Sequence, residues 1–244
     1  MHFVDLTLPT PGENLALDEA LLDEAEAYGP REYLRLWEPQ QPLVVVGRNS
    51  PAEEEADFAA CQAAGVPVLR RSSGGAAIVA APGCLMYAVV LSYELRPQLR
   101  SLDLAHEFVL GINLAGLERL RPGVSRQGTS DLALNTSAQN QEGLLKISGN
   151  SLRCKRNHLL YHGTLLCEMP LDLISRFLRT APRQPKYREG RPHASFVANL
   201  HVPVTELRAA LLAAWGNPPA SRDWPAERTR QLAERYQPLG SHLS

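Results

Sequence analysis

The sequence lacks the features that identify several common classes of protein. Its four cysteines, Cys61, Cys84, Cys154 and Cys167, form no CxxC pair, which argues against a zinc site and, in a chain of 244 residues, against a disulfide framework. The longest apolar run is about eight residues, too short for a membrane helix, and residues 1–22 carry four acids. We therefore expect no membrane span and no secretory signal, and we expect a cytoplasmic protein.

An excess of charge of either sign is also absent. The chain has 25 lysines and arginines against 26 aspartates and glutamates, a formal net charge of −1. No overall field drives binding to nucleic acid or to an anionic membrane, although a local basic pocket is still allowed. The nucleotide-binding and catalytic patterns GxGxxG, GxxxxGK[ST], HExxH and GxSxG are missing too. A nucleotide, if one binds, is held by another kind of site.

The composition is that of an ordinary globular protein. With 44% hydrophobic and 21% charged residues, the chain is able to bury one large core. We expect a catalytic domain over residues 1–200 and a short helical extension of the same domain over residues 201–244.

The pattern of helices and strands favours an α+β fold with a mixed, largely antiparallel sheet flanked by helices. Thr10 to Glu13 form a capping box, so a helix is predicted from Pro11 to just before Gly29. Residues 135–142 are expected to form a mobile loop, and residues 181–192, rich in proline and basic residues, an exposed one. The other predicted helices are 53–64, 104–120, 171–178, 204–215 and 225–236. The predicted strands are 43–46, 66–71, 76–79, 85–93, 131–134, 144–147 and 158–166.

The most concentrated chemical signal is the segment RRSSGGAA at residues 70–77. Two arginines end a strand there, and a turn of small residues follows. Backbone N–H groups in such a turn approach an anion closely, and guanidinium groups add charge-assisted hydrogen bonds to phosphate or carboxylate. The alternative is a hairpin turn flanked by solvated arginines.

Two further segments carry polar groups within apolar strands. In KISGN, Lys146 precedes an apparent small-residue turn, although a strand lysine more commonly points to water. In YHGTLL, His162 and Thr164 flank Gly163. A glycine inside a strand marks a bulge or a close backbone approach, and a satisfied core histidine is the alternative interpretation.

Together and in this order, these segments resemble the lipoate-protein ligase A family, within the biotin/lipoate A/B protein ligases. The family pattern is RRxSGG, then GxxDL, then KxSG, then HGTLL. The chain has these at residues 70–75, 128–132, 146–149 and 162–166. The helix over residues 14–22 and the segments 34–37 and 46–48 also resemble the family, so the similarity covers roughly residues 14–200. The resemblance implies the catalytic large domain of an adenylating ligase.

By position, the resemblance implies a role for each motif. Lys146 is expected to contact the reacting carbonyl and the α-phosphate, and Asp131 to lie near the nucleotide and its magnesium. The residues expected to bind the acyl-adenylate are Arg70, Arg71, Ser73, Gly74, Gly75, Ala76, Ser148, Gly149, His162, Gly163 and Thr164. A basic segment near the site, or simply a solvated loop, is formed by Tyr187, Arg188, Arg191 and His193.

The sequence departs from the family pattern at several of these positions. Ala76 replaces a third glycine of the turn, so we expect Ala76→Gly to tighten ligand binding if that position needs a positive φ or a close approach. Polar groups are also lost. Where many ligases have a His-Asp pair and later asparagines, this chain has Ala80, Ala81, Cys84 and Met86, and where they have Ala-Gln after the lysine it has Ser151 and Leu152. These changes bear on which acyl chain is preferred.

The resemblance implies a ligase that activates lipoate or octanoate with ATP and Mg²⁺ and transfers the acyl group to a lysine of a lipoyl domain or another lipoate carrier. The first alternative is ATP-independent octanoyl or lipoyl transfer through a cysteine. Relatives of that kind carry the nucleophile just upstream of the lysine strand, and residues 121–145 contain no cysteine. The second alternative is a non-catalytic subunit that binds lipoyl domains. About 45 residues follow the motif region, too few for a full accessory domain, so a separate accessory protein is expected as a partner. Nucleic acid and membranes are not expected as partners.

Overall fold

A computed structural model of the protein describes residues 1–136, 143–180 and 184–240. The helices are α1 (Pro11–Tyr28), α2 (Ala52–Glu55), α3 (Phe58–Ala63), α4 (Leu102–Glu118), α5 (Asp172–Phe177), α6 (Val204–Ala214) and α7 (Ala226–Ala233). The strands are β1 (His2–Val4), β2 (Tyr33–Trp37), β3 (Leu43–Val46), β4 (Val68–Arg70), β5 (Ile78–Ala80), β6 (Cys84–Ser92), β7 (Val124–Gln127), β8 (Asp131–Asn135), β9 (Leu144–Cys154) and β10 (His158–Leu166).

The strands form two sheets. The larger has seven strands in the order β1-β2-β6-β10-β9-β8-β7, and the smaller has three in the order β4-β3-β5. Within the large sheet only β1 and β2 run parallel, and in the small sheet β3 and β4 do. The predicted α+β class with a mixed, largely antiparallel sheet is therefore confirmed.

Helix α1 begins as the sequence predicts. The Thr10 hydroxyl accepts the Glu13 N–H at 3.2 Å, and the Glu13 carboxylate accepts the Thr10 N–H at 2.9 Å. This reciprocal pair satisfies two donors that the first helical turn leaves without partners. The helix ends at Gly29, whose φ of 100° is accessible to glycine at little cost.

The central strands of the large sheet, β2, β6 and β10, are buried on both faces, and side-chain alternation along β6 assigns each face to different helices. Tyr87 and Val89 pack in the core under α4 and α6, whereas Ala88 and Val90 pack against α1. The same alternation along β10 directs Tyr161 toward α4 and Leu160 toward α1. His162, two residues beyond Leu160, therefore faces α1.

The predicted helix over residues 53–64 is wrong in one respect, because two short helices, α2 and α3, replace it. Ala56 is extended and pairs with Leu178 as an isolated bridge, and the Asp57 N–H donates to Phe177 O at 2.9 Å. The Asp57 side chain then caps α3 by accepting the Ala60 N–H at 2.9 Å. Tertiary pairing with the segment after α5 thus interrupts a sequence that is locally compatible with one helix.

The turn expected after Lys146 is absent, because β9 continues through residues 148–150 to Cys154. Strand β7 and a 3-10 helix at Pro97–Arg100 were not predicted. The segment before residue 192 contains a further 3-10 turn, Lys186–Arg188, and Arg188 is buried rather than exposed. The expected mobile loop falls largely on residues 137–142, and the start of the 181–192 loop on residues 181–183, both outside the described residues.

The C-terminal helices pack on the body of the fold, α6 against α4 and α7 against α1. No helix in the described part of the chain has the length and apolar character needed to cross a membrane.

Candidate functional site

A cavity of about 320 Å³ lies where the two sheets meet. Its volume falls at the lower end of the range for small-molecule sites, roughly 300–1,000 Å³. One wall is apolar and combines side chains from α1, β3, β5 and β6, namely Leu15, Val45, Ile78 and Met86. A polar wall comes from the β7–β8 turn, β9, β10 and the turn after β4. Such a cavity suits a ligand with an apolar chain and an anionic or polar head.

The turn after β4 is held in shape by the side chain of Arg71. The guanidinium of Arg71 is buried and donates to the carbonyl oxygens of Gly74 and Ala76, at 2.5 and 3.0 Å from Nη2, and to Val45 O. Burial lowers the pKa of Arg71 to about 10, while nearby Glu55 acts in the opposite direction, so the group stays charged at neutral pH. The turn therefore carries a positive charge directly beneath its backbone.

Gly75 carries the one left-handed conformation of this turn. Its φ is +88°, and a Cβ at this position would lie 2.8 Å from Arg71 Nη2. Ala76 is not among the residues with positive φ, so the conformational half of the expectation for Ala76 is wrong. Its methyl group lines the cavity, so the close-approach half remains a prediction.

Arg70 points away from the cavity. Its Nη1 donates to the carbonyl oxygens of Gly47 and Ser50 at 2.7 and 2.9 Å and so holds the loop after β3. Gly47 is required there, since a Cβ would come within 1.9 Å of Gly75 O. The two adjacent arginines thus do different work: Arg71 shapes the turn, and Arg70 fixes the loop beside it.

Lys146 is aimed into the cavity by a β-bulge. Leu132 of β8 pairs with Ser148, but the next residue, Ala133, pairs with Lys146, so Ile147 is an extra residue in β9. The backbone of Lys146 is held from its other side, where its N–H donates to Phe196 O at 2.8 Å and its carbonyl accepts the Ala198 N–H at 3.0 Å. Ile147 is fully buried in the α4 core.

The ammonium group of Lys146 pairs with Asp131. Nζ lies 2.8 Å from Asp131 Oδ1, and the lysine side chain is 27% exposed. The other carboxylate oxygen accepts the Tyr187 hydroxyl at 2.9 Å. Burial, and secondly Asp131, raise the pKa of Tyr187 well above its ordinary value, so this hydroxyl remains a donor. Gly149 makes room for the ammonium, since a Cβ there would lie 3.2 Å from Nζ.

His162 connects the cavity to the turn. Its Nε2 lies 2.5 Å from Ser73 Oγ, and Arg71 Nε donates to the same oxygen at 3.1 Å. On the other side of the ring, Nδ1 faces Asp18 Oδ2 at 3.7 Å. A carboxylate in that position favours the tautomer with the proton on Nδ1, which leaves Nε2 to accept from Ser73.

Asn150 joins three elements around the polar wall. Its side-chain oxygen accepts the Tyr87 hydroxyl at 2.5 Å, and its amide donates to Ser130 O at 2.7 Å. Gly163 allows this arrangement, because a Cβ there would lie 1.8 Å from Asn150 Oδ1. The predicted close approach at Gly163 is therefore present, and the approaching group is a side chain.

Most of the residues expected to bind the acyl-adenylate come together in the cavity wall. Those lining it are Arg71, Gly75, Ala76, Gly149, His162, Gly163 and Thr164. Lys146, expected to be catalytic, and Asp131, expected near the nucleotide, line the cavity as well. Four expected residues are not among the lining residues, namely Arg70, Ser73, Gly74 and Ser148. In the basic segment, Tyr187 contacts Asp131, Arg188 stacks over Phe196, Arg191 donates to Leu144 O and Tyr187 O, and His193 contacts Arg179 O.

Sequence reasoning missed several lining residues and two supporting charges. The lining residues that it did not assign to the site are Leu15, Val45, Ala77, Ile78, Thr129, Ser130, Asn150, Gln184 and Pro185. Asp18 and Arg35 are buried and form an ion pair at 2.5 Å behind His162. A signal existed in the sequence, since Arg35 lies between Leu34 and Leu36 in a strand and Asp18 follows Leu17 in an apolar helix.

None of the four cysteines lines the cavity. Cys61, Cys84 and Cys167 are buried, and burial raises the pKa of Cys167 to about 11 and that of Cys84 further. Cys154 is exposed at the end of β9. Within the described ranges, no three histidine, cysteine, aspartate or glutamate side chains are grouped as metal ligands.

Comparison with known proteins gives a consistent result. Residues 10–214 match the lipoyl protein ligase A/B catalytic domain. The chain is 28% identical over 196 residues to octanoyltransferase LipM of Carboxydothermus hydrogenoformans, across 77% of this chain and 72% of that protein. It is 28% identical over 217 residues to lipoate-protein ligase A subunit 1 of Thermoplasma acidophilum, across 85% and 80%. A bipartite lipoate protein ligase from T. acidophilum has the same fold, with a TM-score of 0.75, 24% identity and coverage of 96% and 93%.

Proposed function

Because the chain belongs to the lipoyl protein ligase A/B catalytic domain family, we propose that it activates lipoate or octanoate with ATP and transfers the acyl group to a lysine of a lipoyl domain. The relatives named above include a ligase and a transferase, and they therefore support an enzyme of lipoyl or octanoyl metabolism. The choice of the ATP-dependent reaction rests on the chemistry of the cavity.

The observation that carries this choice is a cavity with a buried arginine and a lysine but no cysteine. Cysteine-dependent transfer needs a thiol that reaches the acyl carbon. Cys84 and Cys167 are buried with raised pKa values, and Cys154 is outside the cavity wall. Formation of an acyl-adenylate needs no protein nucleophile; it needs positioning and positive charge where negative charge develops.

The two steps follow from this arrangement. A carboxylate oxygen of the acid attacks the α-phosphorus of ATP, and pyrophosphate leaves. The acceptor lysine, as a neutral amine, then attacks the carbonyl carbon, AMP leaves, and the amine loses a proton. Lys146 stabilises the negative charge on the phosphoryl oxygens in the first step and on the carbonyl oxygen in the second. The N–H groups of the turn above Arg71 bind the phosphate.

Mg²⁺ suits a site of this type. This cation is usually held by one or two carboxylates together with substrate phosphates, and Asp131 supplies a carboxylate in the cavity wall beside Lys146. When bound with ATP, the ion would neutralise phosphate charge. The acyl chain of lipoate or octanoate would lie along the apolar wall that includes Leu15 and Met86.

Two other functions are weighed against this one. An octanoyltransferase is favoured by the similarity to LipM but lacks a thiol at the cavity. A non-catalytic subunit that binds lipoyl domains has no need for Lys146 and Asp131 to be paired inside a ligand cavity.

An accessory protein acting with this chain is supported by the relative named as subunit 1 of a lipoate-protein ligase. The cytoplasmic location expected from the sequence stays a prediction.

The experiment that tests the proposal is acylation of an apo lipoyl domain, followed by intact mass. Lipoate or octanoate is supplied with ATP and Mg²⁺ in one arm, and an octanoyl-carrier protein without nucleotide in the other. The proposal expects product in the first arm alone. Product in the second arm, abolished in Cys84→Ala or Cys154→Ala, would establish the transferase instead. Binding of the lipoyl domain without product in either arm would favour the non-catalytic subunit.

A further inference from the structure

Three neighbouring strands place Tyr87, Gly163 and Asn150 in one row across the large sheet. Gly163 of β10 pairs with Tyr87 of β6 on one side and with Asn150 of β9 on the other. Because glycine has no side chain, the two outer side chains meet across it, and the Tyr87 hydroxyl donates to Asn150 Oδ1 at 2.5 Å. A Cβ on Gly163 would lie 1.8 Å from that oxygen, so the contact requires glycine in the middle of the row.

The direction of the hydrogen bonds at Asn150 is set by its partners. Asn150 Nδ2 lies 2.7 Å from Ser130 O, a carbonyl oxygen that only accepts, so the amide nitrogen faces Ser130 and the amide oxygen faces Tyr87. Burial raises the pKa of Tyr87 well above its ordinary value, so this hydroxyl keeps its proton and donates.

The side chain of Asn150 has no N–H group left for a ligand. One N–H donates to Ser130 O, and the other donates to Ser148 Oγ at 3.0 Å. The amide oxygen accepts from Tyr87, and the Ser148 hydroxyl also lies within 3.3 Å of it. Asn150 lines the cavity, but both of its donors are used inside the protein. Its contacts are therefore those of a support for the cavity wall.

The group that Asn150 holds leads directly into Asp131. The Ser130 carbonyl and the Asp131 N–H belong to one planar peptide group, so the hydrogen bond from Asn150 fixes the orientation of that group. Asp131 is the first residue of β8, and its carboxylate lies 2.8 Å from Lys146 Nζ. The orientation of the peptide group at the start of β8 thus affects where the carboxylate meets the ammonium group.

Tyr87 is a rigid anchor for this arrangement. Its side chain is 1% exposed and lies in the core under α4. Its ring stacks with that of Tyr161 at a centroid distance of 6.5 Å, and the Tyr161 hydroxyl lies 2.8 Å from His106 Nδ1. A side chain packed in this way has little freedom to change rotamer. The hydrogen bonds therefore connect a fixed point in the core to the polar wall of the cavity.

We propose that Asn150 is a positioning residue that holds Asp131, and through it Lys146, by fixing the Ser130–Asp131 peptide group, with Tyr87 as its anchor. The consequence for adenylation rests on the proposed function. The claim about the Lys146–Asp131 pair does not, since it concerns the protein without a ligand.

The test measures how readily Lys146 is acetylated in the full-length protein. A limiting amount of N-hydroxysuccinimidyl acetate is added, and peptide mass spectrometry gives the rate at Lys146 relative to the rate at Lys155. Lys155 pairs with Asp23 and is not among the lining residues, so it serves as the internal reference. An ammonium group released from a carboxylate loses its proton and reacts more readily.

The variants are Asn150→Ala and, as a matched control, Asn199→Ala. Asn199 also bridges backbone groups, because it donates to Met169 O at 2.8 Å and accepts the Met169 N–H at 3.2 Å, but it is not a lining residue. Asn150→Ala should raise the ratio of the rate at Lys146 to that at Lys155 by about two- to tenfold, the scale for loss of one hydrogen bond. Asn199→Ala should leave the ratio unchanged.

An unchanged ratio in Asn150→Ala, or an equal rise in Asn199→Ala, would overturn the proposal. A lower melting temperature with an unchanged ratio would mean that Asn150 stabilises the fold only. Should Asn150→Ala fail to fold, Tyr87→Phe removes the anchor and decides in the same way, with a rise expected and an unchanged ratio contradicting the proposal. The ratio needs no ligand, so it decides even if the chain has no ligase activity.

A second readout separates positioning from ligand binding in the active enzyme. Asn150→Ala should lower the single-turnover rate of adenylate formation by about two- to tenfold and leave the KM for octanoate unchanged, because the apolar wall is not altered. A raised KM with an unchanged rate would assign Asn150 to ligand binding and overturn the positioning role.

Discussion

Lys146 Nζ and Asp131 Oδ1 lie 2.8 Å apart across the β8–β9 pair, inside the cavity wall. The pair is partly buried, with the lysine side chain 27% exposed and the aspartate side chain 11%. Because Lys146 lines the cavity, an arriving phosphate or carbonyl oxygen competes with Asp131 for the ammonium group.

The first prediction concerns Lys146. Lys146→Ala should lower the single-turnover rates of adenylate formation and acyl transfer by about 100-fold or more, the scale for removing one preorganised donor to developing charge. Lys146→Arg should rescue poorly, because a planar guanidinium does not replace a compact ammonium in the space above Gly149.

The matched control for that experiment is Lys155→Ala. Lys155 follows β9 directly and also pairs with an aspartate, Asp23, but it is not among the lining residues. The Lys155→Ala variant should retain wild-type rates of adenylate formation and acyl transfer. Melting temperature serves as the folding control for all three variants. A folded Lys146→Ala protein within threefold of wild type would remove Lys146 from the mechanism.

The second prediction concerns the turn. Gly75→Ala forces a side chain into a φ of +88° and against Arg71 Nη2, which costs about 1 kcal/mol or more. We expect it to weaken binding of ATP by about fivefold or more. Ala76→Gly keeps the turn conformation and opens space at the wall, so it should bind ATP at least as tightly as wild type. Calorimetric titration of ATP measures both, and equal affinity of Gly75→Ala and wild type would contradict the assignment.

The third prediction concerns the cysteines. A chain with Cys84→Ala, Cys154→Ala and Cys167→Ala should keep ATP-dependent acylation within about threefold of wild type, allowing for the cost of emptied core volume. Alkylation of exposed Cys154 in the native chain should likewise leave activity intact. Intact mass of the reaction mixture should reveal no acylated enzyme. An acyl adduct on any cysteine would contradict this prediction and favour the transferase function.

The motifs KxSG and HGTLL, which the sequence analysis singled out, come together in the cavity wall because they occupy the neighbouring strands β9 and β10. Which of Arg70 and Arg71 faces the cavity was not predictable, because it depends on the parity with which β4 pairs with β3. The bulge at Ile147 was hidden, since an extra residue appears only against the partner strand.

The burial of two acids of α1 was hard to predict from the sequence, for a physical reason. Asp18 and Glu19 are acids on a helix, and such residues are usually solvated. Their burial follows from partners more than 15 residues away, Arg35 and Tyr236, which no local pattern reports. The break between α2 and α3 has the same origin, because the pairing of Ala56 with Leu178 outweighs helix propensity.

A fourth prediction concerns stability at alkaline pH. Burial raises the pKa of Tyr161 well above its ordinary value, so the folded chain keeps this proton while the unfolded chain loses it near pH 10. The unfolded state then binds fewer protons, and stability falls as pH rises. Tyr161 should contribute a loss of about 1 kcal/mol between about pH 10 and 11. The free energy of unfolding, measured with urea at several pH values, should decline less steeply with rising pH in Tyr161→Phe than in wild type. The comparison uses the slopes, so a difference in stability between the two proteins at neutral pH does not affect it. Equal slopes would contradict the prediction.

The proposed function depends most directly on whether the cavity binds an acyl-adenylate through Lys146. The measurement is calorimetric titration of wild type and Lys146→Ala with a non-hydrolysable sulfamoyl analogue of octanoyl-AMP, alongside AMP and octanoate alone. Wild type should bind the analogue about 100-fold or more tightly than either component, and Lys146→Ala should lose about tenfold or more of that affinity. An analogue that binds wild type no more tightly than AMP does, or that binds both proteins equally, would contradict the account.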